Sequence, residues 1–214
     1  MRLTPLIAIC AIISQGIVVA ADPISLGQFE GHCDVGSPRN AGAASYDAAS
    51  QGYEIAGSGV NMWGAKDEFH FVWKRLKGDF TLRTRFEFVT KGGDPHRKVG
   101  WMVRPNLEAD APYADCVEHG DGLTSLQYRP AKGTNTQTMV LSVTNADVLQ
   151  FERKGNTYVF SAAHYGEPFV SKELTNFDLG DEVYAGLFVC AHNGNIIEQA
   201  RFRDVRIIRS AKER

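Results

Sequence analysis

DFTLRTRFEFV, Asp79 to Val89, alternates along its whole length. Phe80, Leu82, Thr84, Phe86 and Phe88 fall on one face, and Thr81, Arg83, Arg85 and Glu87 on the other. Successive side chains of a strand point to opposite faces, so this period of two marks a half-buried strand of an antiparallel sheet. Upstream, Glu68–Lys74 repeats the pattern, with Phe69, Phe71 and Trp73 expected inward and His70 outward. Downstream, Val99–Arg104, Leu123–Arg129, Thr138–Val143, Val148–Arg153, Thr157–Ala162 and Ala200–Ile208 read as further strands. Tyr184–His192 is apolar on both faces and reads as a central one. Lys154-Gly155-Asn156 marks a hairpin in which glycine supplies a positive φ.

No window of 11 residues or more keeps a helical period. About ten short strands separated by glycine-containing turns predict an all-β, two-sheet antiparallel jelly-roll sandwich. Such sandwiches pack their inner faces together and leave an outer concave face on which a ligand can be enclosed.

The first 21 residues stand apart. Arg2 precedes an apolar stretch, Leu6 to Val19, which ends on Ala20 and Ala21. That is the layout of a cleavable secretory signal, so the mature domain is expected over 22–214 and its location is secreted or periplasmic. The stretch falls short of the ~20 apolar residues of a comfortable span, and no second one follows, so no membrane span is expected in the mature chain. Cys10 follows Ile9, where a lipoprotein signal needs a small residue. With 23 Lys+Arg against 25 Asp+Glu the chain has no basic footprint for nucleic acid. Cys33, Cys116 and Cys190 remain after the leader; three cannot all pair, and buried free thiols are the plain reading.

Several stretches are similar to known proteins taken together: QFERKGNTYVFSAA, VYAGLFVCAHN and ARFRDVRI, with GSGVNMWGAKDEFHFVWKRLKGDF, HRKVGWMVRP and HGDGLTSLQYR. They resemble the concanavalin A-like lectin/glucanase superfamily, in particular secreted bacterial sandwich domains of unassigned function, sometimes labelled TolR- or TolB-like. The resemblance runs from about Gly31 to Ile208 and implies saccharide as the partner. Related sandwiches include lectins, glycan-binding modules, glycosidases and 3-keto-glycoside hydrolases or lyases. The E-x-D-x-x-E motif of many sandwich glucanases is absent; Asp67 and Glu68 are adjacent and point to opposite faces of an extended chain. The superfamily makes calcium conceivable, through oxygen ligands such as Asp34 or Asp204, without any calcium-loop spacing.

The polar residues that could carry chemistry fall into groups. On VGWMVR, Lys98, Gly100, Met102 and Arg104 share a face, with room expected above Gly100. On LTSLQYR, Gln127 and Arg129 lie opposite the core-like Thr124, Leu126 and Tyr128. Their several fixed donors suit sugar hydroxyls or a sugar carboxylate; a solvated strand face gives the same pattern. Asn61 and Trp63 follow a Gly-Ser-Gly bend, where Trp63 is either a stacking platform for a sugar ring or a plug for the sandwich end. His192 shares a face with Phe188 and Cys190.

His119-Gly120-Asp121-Gly122 is either a tight turn or, with His96 or His192 as a third group, part of a metal or catalytic site. The leading expectation is a saccharide-binding groove made of Trp63, Asn61, Lys98, Arg104, Gln127, Arg129 and His192. A glycan-active enzyme would use His119 or His70 as base, Asp121 to orient it and Arg104 against developing charge. A third class is an envelope protein-interaction module using a basic C-terminal edge.

Overall fold

The computed structural model describes residues 25–209; the leader-like segment 1–21, with Cys10, lies outside them. Fourteen strands follow one another: β1 (Gly31–Val35), β2 (Ala43–Asp47), β3 (Gly52–Gly57), β4 (Phe69–Lys77), β5 (Phe80–Phe88), β6 (Lys98–Arg104) and β7 (Tyr113–His119), then β8 (Leu123–Arg129), β9 (Gln137–Thr144), β10 (Val148–Lys154), β11 (Thr157–Ala163), β12 (Val170–Leu174), β13 (Glu182–Cys190) and β14 (Glu198–Arg209). They form two seven-stranded sheets, β1-β4-β13-β6-β7-β8-β9 and β12-β11-β10-β5-β14-β3-β2. Every pairing is antiparallel. No helix of the described residues is long and apolar enough to cross a membrane.

The Asp79–Val89 alternation becomes β5, whose Phe80 and Leu82 enter the core between the sheets. From the other sheet come Val99, Trp101 and Val103 of β6 and Leu187 and Val189 of β13. β10 and β11 join through Gly155-Asn156, with Gly155 at φ 57°, a conformation that costs glycine little.

The first sheet is covered on both faces. Away from the main core, Phe69, Phe71, Met102, Tyr113, Val117 and Phe188 form a second apolar cluster, roofed by Met62. This corrects two expectations. Phe69, Phe71 and Trp73 face outward into this second cluster, whereas Val72 and Leu76 of the same strand enter the main core. The space above Gly100 is filled, because its cross-strand neighbours Phe188 and Val117 are fully buried there. When both faces of a strand are dry, the more apolar face no longer identifies the core side.

β1, β2, β3, β7 and β12 were not expected, although β3 alternates, with Tyr53 and Ile55 buried on either side of exposed Glu54. β7, YADCVEH, is buried on both faces while carrying Asp115, Glu118 and His119. The C-terminal strand is not an edge. β14 lies between β5 and β3, and Arg201 is held by Glu54 and Glu87.

Candidate functional site

Register alone brings the polar ends of three strands together. Lys98 opens β6 directly opposite His119, which ends β7, and opposite Cys190 on the other side. Gln127 of β8 comes from the same outer face, and its side chain reaches His119. The turn after His119 is tight: Gly122, at φ 87°, donates its N–H to the His119 carbonyl, and Asp121 Oδ1 accepts from Leu123 N–H. Over these strand ends lies the 58–68 loop with Asn61 and Trp63. With His96, Leu123, Thr138 and His192 they enclose a pocket of about 290 Å³. Trp63 is 41% exposed, so its ring is a wall of the pocket rather than a plug in the core.

Hydrogen bonding assigns the tautomer of His119. Its Nδ1 lies 2.8 Å from the Leu123 carbonyl oxygen. A carbonyl only accepts, so Nδ1 carries the proton and Nε2 is a lone pair. That lone pair takes an N–H from Gln127 Nε2 at 3.2 Å. The Gln127 amide is thereby oriented, and its Oε1 is buried with no hydrogen-bond partner. Burial lowers the His119 pKa to about 4, so the ring is neutral. Lys98 Nζ donates to Asn61 Oδ1 (3.3 Å) and to the His96 carbonyl (3.1 Å). Burial lowers its pKa too. His192 Nδ1 lies 3.1 Å from Asp94 Oδ1, and its ring meets that of His96 edge-on at 5.3 Å.

Arg104 and Arg129 are elsewhere. They lie one strand apart, with β7 between β6 and β8, and both reach inward to Asp67. Arg129 grips its two oxygens at 2.5 and 2.8 Å, and Arg104 Nη2 stands 3.5 Å away. The remaining Arg129 donors go to the carbonyls of Gly64, Thr134 and Ala111. Arg104 also bonds the Glu108 carbonyl. All three side chains are fully buried. The two arginines expected to meet a ligand instead lock the 58–68 loop to the sheet, because an aspartate outside the strands takes their charge.

Several solved structures are similar to this chain in fold. A carbohydrate-binding module, CBM66 from Bacillus subtilis, matches at a TM-score of 0.52 and 16% identity, over 85% of this chain and 98% of that one. A legume lectin-like domain from Entamoeba histolytica matches at 0.50 and 11%, over 74% and 84%. The fold is that of the concanavalin A-like lectins and glucanases. A functionally unknown protein from Saccharomyces cerevisiae has it too, at a TM-score of 0.59 and 11% identity, over 79% of this chain and 96% of that one. No protein-family model and no curated protein matches the sequence.

On this concanavalin A-like sandwich the other expected residues disperse. His70 points between the sheets, where an added Cβ on Gly42 would strike its ring. There it lies 2.7 Å from Asp34 and 3.0 Å from His32, away from the pocket. Asp121 faces His96 (3.9 Å) rather than His119, since the glycine turn swings it outward. The enzyme arrangement of His119 or His70 with Asp121 and Arg104 is therefore not assembled.

Asp34 accepts from Gly42 N–H as well as meeting His70, and Asp204 sits on the other sheet beside Arg85, so the two carboxylates considered for calcium do not converge. Among the described residues no group of three or more His, Cys, Asp or Glu is placed to hold a metal ion. Cys33, Cys116 and Cys190 are free thiols. The sequence reading missed Thr138 and Asp94. It also missed Asp115, which lies beneath the pocket with Oδ1 accepting from Gln127 N–H. Strand register places Thr138 and Asp115, and the fold of the loop between β5 and β6 places Asp94.

Proposed function

We propose that the protein binds a saccharide in the pocket formed by Asn61, Trp63, Lys98, His119, Gln127 and His192. The observation that carries this reading is the pairing of a half-open indole with a buried, oriented and unpartnered amide oxygen. An indole face covers the C–H side of a sugar ring, while Gln127 Oε1 accepts a hydroxyl that would otherwise leave it unsatisfied. Imidazole and amide groups around the rim supply further donors and acceptors. A carbohydrate-binding module and a legume lectin-like domain have the same fold, which supports the choice of saccharide as ligand class.

Binding without chemistry is favoured over turnover at His119. Its lone pair is engaged by Gln127, and its pKa of about 4 makes it a weak base at neutral pH. We infer from the leader-like segment that this binding takes place outside the cytoplasm, secreted or periplasmic; N-terminal sequencing of the mature protein tests it.

A glycan panel titrated calorimetrically against the wild type, Trp63→Ala and Gln127→Leu tests the proposal. W63A is expected to weaken binding about tenfold, ~1.4 kcal/mol. Q127L is expected to weaken it comparably. Unchanged affinity in both variants places the site elsewhere; no binding by wild type across the panel refutes the reading.

A further inference from the structure

We propose that the saccharide carries an anionic substituent, a carboxylate or a sulfate, and that Lys98 Nζ receives it. The inference rests on the saccharide reading and narrows its substrate class.

Charge around the pocket is lopsided. Its lining contains Lys98 and three histidines and no carboxylate, although acidic residues outnumber basic ones in the chain as a whole. Lys98 is 97% buried, the complement of its 3% exposure. An ammonium has three donors, and two are spent on the neutral oxygens of Asn61 and His96. Lys98 forms no ion pair among the described residues. A buried cation without a counter-ion is costly, and three other buried cations have one: Arg97 is paired with Glu198, and Arg104 and Arg129 with Asp67, while buried Arg153 spends its donors on three carbonyls instead.

The acidic and thiol groups that surround Lys98 do not serve. Asp115 lies beneath it with one oxygen on Gln127 N–H and the other without a hydrogen-bond partner, so neither oxygen is bonded to the ammonium, and burial raises its pKa. Asp94 and Asp121 stand behind the rings of His192 and His96. The Cys190 thiol, opposite Lys98, is pushed up to about 11 by burial and stays protonated. The third donor of Lys98 is therefore left for a charge that the ligand brings. His119 adds no positive charge of its own, so the preference for an anion is concentrated on one side chain. Trp63 sits across the same pocket and fixes the ring to which the anion is attached.

The test compares neutral, uronic-acid and sulfated oligosaccharides of matched length, titrated against the wild type and Lys98→Met at low and high salt. Thermal melting establishes that K98M is folded. Wild type is expected to bind at least one acidic class tenfold or more tighter than its neutral counterpart, with the preference shrinking in salt. The class preferred separates carboxylate from sulfate. K98M is expected to bind the acidic and neutral classes with the same affinity as each other, whatever that affinity is. Neutral glycans bound as tightly as acidic ones by wild type overturn this inference and leave the saccharide reading standing. A preference that survives in K98M overturns the assignment to Lys98. Absence of binding by every class brings down both readings.

Discussion

Replacing Asp67 with asparagine tests the claim that Arg104 and Arg129 are structural. The carboxylate takes two short contacts from Arg129 and one at 3.5 Å from Arg104, with all three groups sealed from solvent. Burial pushes the Asp67 carboxyl above its ordinary range, and the Arg129 and Arg104 contacts oppose that rise. An amide retains one acceptor and turns its NH2 toward a guanidinium N–H. One charge-assisted bond, ~1.5–3 kcal/mol, is lost outright. Two buried cations also lose the carboxylate they share, which brings the expected cost to ~3–5 kcal/mol.

For a domain of this size each kcal/mol moves the midpoint by roughly 2–4 °C, so D67N should melt roughly 6–20 °C lower. Urea denaturation should show the same loss as a lower midpoint at unchanged slope. Saccharide affinity should fall as well, because Arg129 also holds the Gly64 carbonyl, next to Trp63. A melting temperature within about 3 °C of wild type, equivalent to ~1 kcal/mol, would refute the reasoning and return both arginines to the list of ligand-binding candidates.

Two neighbouring residues on β7 predict opposite pH dependences. Burial raises the Glu118 pKa to about 8, with Thr124 hydroxyl as its partner. Its folded pKa is above its unfolded one, so it contributes stability in acid that is lost as pH rises from about 4.5 to about 8. E118Q should therefore gain on wild type across that range, by up to ~5 kcal/mol; melting curves at pH 5 to 9 that stay parallel contradict this. His119 behaves in the other sense, because its folded pKa of about 4 is below the ordinary 6.5. It contributes stability above pH 6.5 that is lost as pH falls toward 4, up to ~3 kcal/mol. H119Q should flatten the acid side of the stability profile, and an unchanged acid midpoint counts against a neutral, buried ring.

The strands with strict alternation were legible one by one. β5, β6 and β8 have the faces their sequences announce, since Leu82, Trp101 and Leu126 enter the main core. So was the Gly155 hairpin, because glycine adopts positive φ at little cost wherever it stands. β7 was not legible: its Asp115 and Glu118 are buried by neighbours on both sides, which no local pattern reveals. The candidate site was half legible. Asn61 and Trp63 were singled out after a glycine bend, Lys98 and Gln127 on strand faces opposite the core, His119 in a glycine turn and His192 at a strand end, and these six positions from distant parts of the chain share one pocket. Arg104 and Arg129 satisfy the same local criterion as Lys98 and Gln127. They differ only in having Asp67 within reach.

By itself, then, the sequence determined the fold class. Period two, turn-forming glycines and alternating aromatics are local constraints that each strand carries alone. Which face of β4 is the core side, which arginines are spent and which lysine is left without a counter-ion were decided only by the tertiary structure. Those outcomes depend on register between strands and on a loop folding back over the sheet. A charge's partner is a matter of a few ångströms in space, and residues 62 positions apart, such as Asp67 and Arg129, meet only when the sandwich closes.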